Sequence, residues 1–186
     1  MKKIYHSNQD LSNWVHNIMR SMADDNWQPD LIVGITRGGL IPAMMLSQYL
    51  KVPMQALQVS LRDGGDCVSD LGLAEDAFGY VPTDEQPTYK SRWDISRRKK
   101  ILVVDDINDT GATINWIMQD WPSGVFPQES QTWETIWHRT VRFAVLVDNM
   151  SSNFNDVDYV GIEINKAEDP AWIVFPWENW WENKND

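Results

Sequence analysis

The chain is poor in the residues that form covalent crosslinks or zinc sites. Its single cysteine, Cys67, has no partner for an internal disulfide, which suits a reducing compartment. Cys67 also lies in a polar stretch with no histidine near it in sequence, so we do not assign it as a nucleophile. The three histidines, His6, His16 and His138, are too scattered to match zinc-ligand spacing.

Long apolar runs and positive charge are also scarce. No run is long enough to span a membrane, and the start of the chain lacks a secretory signal. Sixteen lysines and arginines against 27 acidic residues give a formal charge of −11. The only basic run, 97–100, is expected to be a solvated entrance to a strand; the alternative is a contact for a neighbouring subunit or a substrate phosphate. We therefore expect a cytoplasmic protein that binds neither nucleic acid nor membranes.

Apolar segments alternate with amphipathic ones along the 186 residues, which fit one domain with a single core. Period-two and continuous apolar runs predict strands, and three-and-four spacing predicts helices, the first of them capped by Asp10. Strands alternating with helices indicate an α/β fold with a mostly parallel sheet flanked by helices. The predicted strands are 31–35, 55–61, 100–105, 141–147 and 157–164, and the predicted helices are 11–22, 41–50 and 112–121.

An acidic stretch follows the strand predicted to end at residue 105. Asp105 and Asp106 come first, and a turn rich in small and hydroxyl residues leads into the next helix. Free N–H groups at that helix start, beside the hydroxyls of Thr110 and Thr113, form a cradle for a phosphate, and Gly111 permits close approach. The two carboxylates would repel a phosphate. They suit the vicinal hydroxyls of a sugar, or a metal held through water.

Two other interpretations of this stretch remain open. One is a solvated acidic loop behind a core strand. The other is a phosphatase of the haloacid type with Asp106 as nucleophile, but that motif requires an aspartate at the position of Asn108.

A second strand–turn–helix unit follows residues 31–35. Its turn contains Arg37, Gly38 and Gly39, and Pro42 lies in the first turn of the next helix. The glycines permit close approach of an anion to backbone N–H groups, and Arg37 adds a fixed positive charge. Alone, this pattern is a weak signal, but a neighbouring phosphate cradle on a parallel strand makes an anion site the favoured interpretation.

Together these segments resemble the phosphoribosyl-diphosphate site of the type I phosphoribosyltransferases. That family has two acidic residues, two variable residues and then Asp-Thr-Gly-x-Thr, with a pyrophosphate loop at the position of Arg37. The resemblance also implies a cis peptide between Thr36 and Arg37. The residues that match the acidic motif, with the variable position included, are Asp105, Asp106, Asp109, Thr110, Gly111, Ala112 and Thr113.

The segment from Trp172 to Glu178 is similar to the base site of the hypoxanthine and xanthine-guanine branch. By that resemblance Trp172 stacks on a purine and the backbone of Ile173 recognises the base edge; simple hydrophobic packing is the alternative, since the chain has eleven tryptophans. Glu178 is expected to contact the base edge or a metal. Where relatives have a lysine that donates to the base, this chain has Asn149, which can donate without charge.

The resemblance also implies an organisation for the whole chain. It predicts a single phosphoribosyltransferase-like domain over 1–186, with a flexible hood loop at 62–96, an insertion at 122–139 and a C-terminal base-site segment at 165–186. It further implies a homo-oligomer.

The function implied is that of a pentosyltransferase, which moves the 5-phosphoribosyl group from phosphoribosyl diphosphate to a purine base with Mg²⁺. The 5-phosphate would lie on 109–113, and Arg37 with the amides of Gly38 and Gly39 would stabilise the departing pyrophosphate. Asp105 and Asp106 would hold the ribose diol and, with Glu178, the metal. Asp109 is the candidate general base. The alternative is a non-catalytic regulatory protein that binds phosphoribosyl diphosphate or a nucleotide.

Overall fold

The computed structural model describes residues 2–61, 66–81, 94–125, 130–178 and 180–181. Seven strands and five α-helices lie in these ranges. In chain order they are β1 (Lys2–Tyr5), α1 (Asn8–Asp24), β2 (Leu31–Ile35), α2 (Leu40–Leu50), β3 (Met54–Leu57), α3 (Leu71–Phe78), β4 (Ile101–Asn108), α4 (Ala112–Gly124), α5 (Ser130–Glu134), β5 (Val141–Asn149), β6 (Tyr159–Ile164) and β7 (Ala171–Val174).

Five strands form one parallel sheet in the order β3-β2-β4-β5-β6, which confirms the predicted α/β fold class. β2 and β4 are neighbours, with Val33 opposite Val103. Parallel neighbours end at the same edge of a sheet, so the segments that follow β2 and β4 emerge side by side.

Both faces of this sheet are covered. Along β4, Ile101 and Val103 are buried in the core on one face, and Leu102 and Val104 are buried in the core on the other. A strand covered on both sides reads as a continuous apolar run, which is why the central strands were recognisable in the sequence. Within the described part of the chain, no helix is long and apolar enough to cross a membrane.

The first helix confirms the predicted apolar face but not the predicted cap. Its N-cap is Ser7, whose hydroxyl accepts from the N–H of Asp10, while the Asp10 carboxylate accepts from the N–H of Ser7 at 2.8 Å. Asp10 therefore occupies the third helical position of a capping box, and the prediction that it is the N-cap was wrong.

Several predicted boundaries were also wrong. β3 ends at Leu57, and beyond it Val59 forms an isolated antiparallel bridge with Cys67. β4 continues to Asn108 instead of ending at residue 105, and α4 runs through Pro122 to Gly124. β6 begins at Tyr159, two residues later than predicted.

The two segments predicted to be irregular each contain a helix. α3 lies within 62–96 and buries Leu73 and Phe78; positions 62–65 and 82–93 of that predicted hood loop lie outside the described residues. α5 lies within 122–139, where Trp133 and Trp137 are buried and stack at 5.1 Å between ring centroids. That part of the predicted insertion contributes to the core, because its aromatic side chains fill it.

A small second sheet was not predicted. β1 pairs with β7 in parallel, from Lys2 opposite Ala171 to Tyr5 opposite Val174, and the N–H of His6 extends the ladder to the Val174 carbonyl at 3.1 Å. The start of the chain thereby fixes the segment that contains Trp172.

Candidate active site

A cavity of about 590 Å³ opens at the edge of the sheet where β2 and β4 end. The acidic stretch, the turn after β2 and the C-terminal segment all contribute to its wall, so the structure brings together three parts of the sequence that were each predicted to bind a ligand. The predicted site residues that line it are Arg37, Asp105, Asp106, Asp109, Thr110, Gly111, Ala112, Thr113, Trp172, Ile173 and Glu178.

The predicted phosphate cradle lies where α4 begins. Gly111 has φ +82° and precedes Ala112, the first residue of the helix, whose N–H points to the Thr110 hydroxyl oxygen at 3.4 Å. A methyl group on Gly111 would meet the backbone nitrogen of Phe154 at 2.7 Å, so only glycine fits both the conformation and the space. The helix start offers backbone N–H groups to an anion inside the cavity.

A buried polar network lies next to this cradle, on the side of Phe154. The Asn108 amide donates to the Asp148 carboxylate at 2.7 Å and to the Phe154 carbonyl at 2.8 Å, and it accepts from the Ser152 hydroxyl at 3.0 Å. Burial raises the pKa of Asp148. Asn108 is thus a structural amide, and position 108 provides no second acid for phosphatase chemistry beside Asp106.

Sequence reasoning missed this network, although a signal for it exists. Asn108 and Asp148 are opposite each other in the register of β4 and β5. Two polar residues at matching ends of adjacent, mostly buried strands indicate a buried hydrogen bond.

The two adjacent carboxylates are half-buried near the end of β4. Asp105 accepts from the N–H of Asp106, and Asp106 accepts from the N–H of Ile107, each at 2.9 Å. Burial raises the pKa of Asp106, and the negative charge of Glu178 raises it further. This excess of negative charge favours hydroxyl donors or a cation as the ligand at this point.

The turn after β2 packs tightly on the end of β4. The Thr36–Arg37 peptide is cis, as predicted, and both residues line the cavity. Gly38 and Gly39 are not among the lining residues. A methyl group on Gly38 would overlap the Asp106 carboxylate, and one on Gly39 would overlap the Val104 carbonyl. These glycines therefore allow the turn to lie directly against β4.

The C-terminal segment forms the other end of the cavity. Trp172 is 38% exposed and lines the cavity, whereas the neighbouring Ile173 is buried. Glu178 closes a turn, because its carboxylate accepts from the N–H of Phe175 at 3.0 Å and its own N–H donates to the Phe175 carbonyl at 3.0 Å. An exposed indole on a strand held by β1 provides a flat apolar surface for a ring to stack on.

Asn149 lies behind this wall and is not a lining residue. Its amide donates to the Asp109 carbonyl at 2.8 Å, and its oxygen accepts from the N–H of Lys166 at 3.0 Å. Lys166 does line the cavity, and its ammonium nitrogen lies 2.8 Å from the Asp109 carboxylate. Sequence reasoning missed Lys166. The signal that could have identified it is its position two residues after the strand predicted over 157–164, because the carboxyl ends of parallel strands meet at one edge of the sheet.

The donor set fits a hard cation only in part. Asp105, Asp106 and Glu178 offer carboxylate oxygens to one cavity, which are the ligands that Mg²⁺ prefers. Across the described ranges, however, no three side chains of the metal-binding types are grouped closely enough to hold an ion. The arrangement therefore suits an ion whose remaining positions are filled by ligand oxygens and water.

Known proteins with related sequences and structures point in the same direction. Residues 2–180 match the model of the phosphoribosyl transferase domain. Xanthine phosphoribosyltransferase 1 of Saccharomyces cerevisiae is 23% identical, over 95% of this chain and 90% of that protein. The hypoxanthine-guanine phosphoribosyltransferase of Schizosaccharomyces pombe is 25% identical, over 95% and 89%. The solved structure of a purine phosphoribosyltransferase from Pyrococcus horikoshii superimposes with a TM-score of 0.60 at 22% identity, covering 96% of this chain and 95% of that one.

Proposed function

The chain belongs to the phosphoribosyl transferase domain family, and on that premise we propose that it transfers the 5-phosphoribosyl group of phosphoribosyl diphosphate to a purine base, releasing pyrophosphate. The observation that carries the proposal is that one cavity is lined by the predicted phosphate cradle, by the two adjacent carboxylates and by an exposed tryptophan. The relatives named for xanthine and for hypoxanthine and guanine support a purine as the acceptor.

The sugar phosphate is proposed to bind along the acidic stretch. Its 5-phosphate would accept hydrogen bonds from the backbone of 109–113 and from the hydroxyls of Thr110 and Thr113. Asp105 and Asp106 would accept hydrogen bonds from the two ribose hydroxyls, which offsets the cost of burying Asp106 as an ion. Arg37 would lie beside the pyrophosphate.

Mg²⁺ is proposed to bind with the sugar diphosphate, held by one or two of the carboxylates of Asp105, Asp106 and Glu178 together with substrate oxygens and water. When bound, it neutralises part of the charge on the leaving pyrophosphate. Arg37 adds a fixed positive charge at the same end of the cavity, so the charge that develops as the carbon–oxygen bond breaks meets a cationic side chain.

The base is proposed to stack on Trp172, with the backbone of Ile173 at its edge. A ring nitrogen of the base forms a bond to the anomeric carbon while the bond from that carbon to the pyrophosphate oxygen breaks. The proton of that nitrogen would pass to Asp109, which lines the same cavity as Trp172. Asn149 contributes from behind by holding the Asp109 backbone.

Measuring pyrophosphate release from phosphoribosyl diphosphate tests the proposal directly. The panel would contain hypoxanthine, guanine, xanthine, adenine and uracil, each with Mg²⁺. We expect turnover with at least one purine and none with uracil. The double substitution Asp105→Asn, Asp106→Asn should abolish turnover and weaken binding of the magnesium–phosphoribosyl-diphosphate complex in calorimetry.

Two outcomes would contradict this assignment. Tight binding of phosphoribosyl diphosphate without turnover on any base would indicate the non-catalytic regulatory protein instead. Unchanged binding in the double variant would remove the two carboxylates from the sugar site. A melting curve of the variant provides the control, since both residues are half-buried and line the cavity, and the fold should survive their neutralisation.

A further inference from the structure

We propose that Asn149 is a positioning residue of the phosphate cradle, because its buried side chain turns the peptide between Asp109 and Thr110 so that the N–H of Thr110 faces the cavity. Asn149 would thus act on the 5-phosphate through the backbone, without touching the ligand. The inference deepens the proposed function and rests on its assignment of 109–113 to the 5-phosphate.

The geometry of one peptide gives the direction of this effect. A trans peptide places its carbonyl and its N–H on opposite sides, and the peptide between Asp109 and Thr110 is trans. The side-chain amide of Asn149 donates to the Asp109 carbonyl at 2.8 Å, so that carbonyl points toward Asn149. Asp109 and Thr110 line the cavity, whereas Asn149 lies behind them. The N–H of Thr110, on the far side of the same peptide, is therefore directed toward the cavity.

The next peptide of the cradle is held in a similar way. The Thr110 carbonyl accepts from the backbone N–H of Asn153 at 3.2 Å, in the loop after β5. The N–H of Gly111 then lies on the opposite side of that peptide. Gly111 has φ +82°, and a left-handed residue of this kind lets neighbouring peptides direct their N–H groups to one side, where they form a concavity for an anion. Donors from one loop thus orient two consecutive N–H groups of the cradle.

The orientation of the Asn149 amide is itself fixed. Asn149 is 5% exposed, and its oxygen accepts from the N–H of Lys166 at 3.0 Å, from the hydroxyl of Ser151 at 2.8 Å and from the N–H of Ser151 at 3.3 Å. With its oxygen turned to these donors, the amide presents its NH₂ group to the Asp109 carbonyl. The side chain therefore holds that carbonyl from a single direction.

The affinity gained from a 5-phosphate measures the cradle without requiring turnover. Calorimetry with guanosine and with guanosine 5-monophosphate gives that gain as the ratio of the two affinities. We expect the wild type to bind the nucleotide more tightly than the nucleoside. Asn149→Ala should reduce the ratio by roughly 10- to 100-fold, the range expected for one lost hydrogen bond to a charged group, and should leave the affinity for guanosine within about threefold of wild type.

A second variant separates the donor side of Asn149 from its acceptor side. In Asn149→Ser the hydroxyl can still accept from the N–H of Ser151, two residues on, but is too short to donate to the Asp109 carbonyl. It should lose the phosphate gain as Asn149→Ala does. Because it keeps a polar group in the buried position, it also serves if Asn149→Ala does not fold.

A matched asparagine provides the control. The amide of Asn17 likewise donates to a backbone carbonyl, that of Gly161 at 3.0 Å, and neither residue lines the cavity. Asn17→Ala loses the same kind of hydrogen bond and should leave the affinity ratio unchanged.

The outcomes separate this inference from the proposed function. A phosphate gain that persists in either Asn149 variant overturns the role of Asn149 and leaves the transferase assignment intact. Equal weakening of nucleoside and nucleotide by Asn149→Ala would place Asn149 at the base or in the general fold, which also overturns the inference. A wild type without any phosphate gain overturns the phosphate site of the proposed function itself. A gain that Asn149→Ala loses, in a protein that never releases pyrophosphate, supports the role of Asn149 and overturns the transferase assignment.

Discussion

At the scale of single residues, the contact between Gly38 and Asp106 joins the turn after β2 to the acidic stretch of β4. No side chain fits between them, because a methyl group on Gly38 would occupy the space of the Asp106 carboxylate. The turn after β2 and the segment of β4 that contains Asp106 are therefore in direct contact. The position of the carboxylate proposed to bind the sugar thus depends on a residue that has no side chain.

Gly38→Ala tests this coupling. The added methyl group should displace the Asp106 carboxylate and lower kcat/KM for phosphoribosyl diphosphate by up to about 100-fold, the loss typical of a misplaced reacting group. Gly72→Ala, in the exposed face of α3, is the matched control and should leave kcat/KM unchanged. Equal activity in both variants would show that the contact has no functional role.

Trp172→Ala tests the stacking surface. Removing the indole should weaken purine binding by roughly 1–3 kcal/mol, and the quenching of tryptophan fluorescence by a purine should decrease. Trp172→Phe should retain much of the affinity, because it keeps an aromatic face. Trp180→Ala is the control, since Trp180 is 77% exposed and does not line the cavity. Full quenching in Trp172→Ala would assign the stacking to another tryptophan.

At the scale of elements, the ends of β4 and β5 are joined by hydrogen bonds that the cavity depends on. Asn108 connects β4 to Asp148 of β5 and to the loop that contains Ser152 and Phe154. That loop presses against Gly111, since a methyl group there would meet Phe154. The predicted phosphate cradle therefore packs against a loop that the Asn108 hydrogen bonds hold in place.

Asn108→Ala should expose this dependence. The Asp148 carboxylate and the Phe154 carbonyl would lose their donor while staying buried, which costs about 1–3 kcal/mol in the free energy of unfolding measured with urea. The KM for phosphoribosyl diphosphate should rise as well. Asn155→Ala, an exposed asparagine in the same loop, should change neither quantity. A stable Asn108→Ala protein with unchanged KM would contradict the linkage.

The elements also show what the sequence could and could not specify. β2, β4 and β5 were predicted because strands buried on both faces are continuously apolar. β1 was missed because three of its four residues are exposed, so its pairing leaves no apolar pattern.

The candidate site shows the same division between local and long-range information. The acidic motif and the cis Thr36–Arg37 peptide followed from a resemblance to local patterns. Lys166 and the Asn108 network depend on contacts between residues about 40 or more positions apart, such as Asn108 with Asp148 and Lys166 with Asp109, and periodicity does not encode such contacts.

At the scale of the whole molecule, one histidine should make the free energy of unfolding depend on pH. His138 lies 3.2 Å from the Asp158 carboxylate, which also accepts from the N–H of Phe143 at 2.8 Å. The hydrogen bond to Asp158 raises the pKa of His138, although burial opposes it; the charge of Asp156 adds to the rise and that of Arg142 opposes it. A raised pKa means that the folded state binds the proton more tightly than the unfolded state.

His138→Asn should therefore destabilise the protein most at low pH. The stabilisation by His138 is fully present below the unfolded value, about 6.5, and is lost as pH rises through the higher folded value. The difference between wild type and variant in free energy of unfolding should be larger at pH 6 than at pH 8.5. Asparagine tolerates the φ of +59° at this position, so the backbone is retained. An equal difference at both pH values would show that His138 does not titrate with folding.

The pairing of β1 with β7 determines when each half of the cavity can form during synthesis. A chain leaves the ribosome from its N-terminal end, so β1 is made well before β7, the strand with which it pairs. The phosphate cradle and its supporting strand β5 are translated well before Ala171. In a nascent chain, the segments proposed to hold the sugar phosphate would thus be complete before the strand that carries Trp172, the proposed stacking surface for the base, has been made.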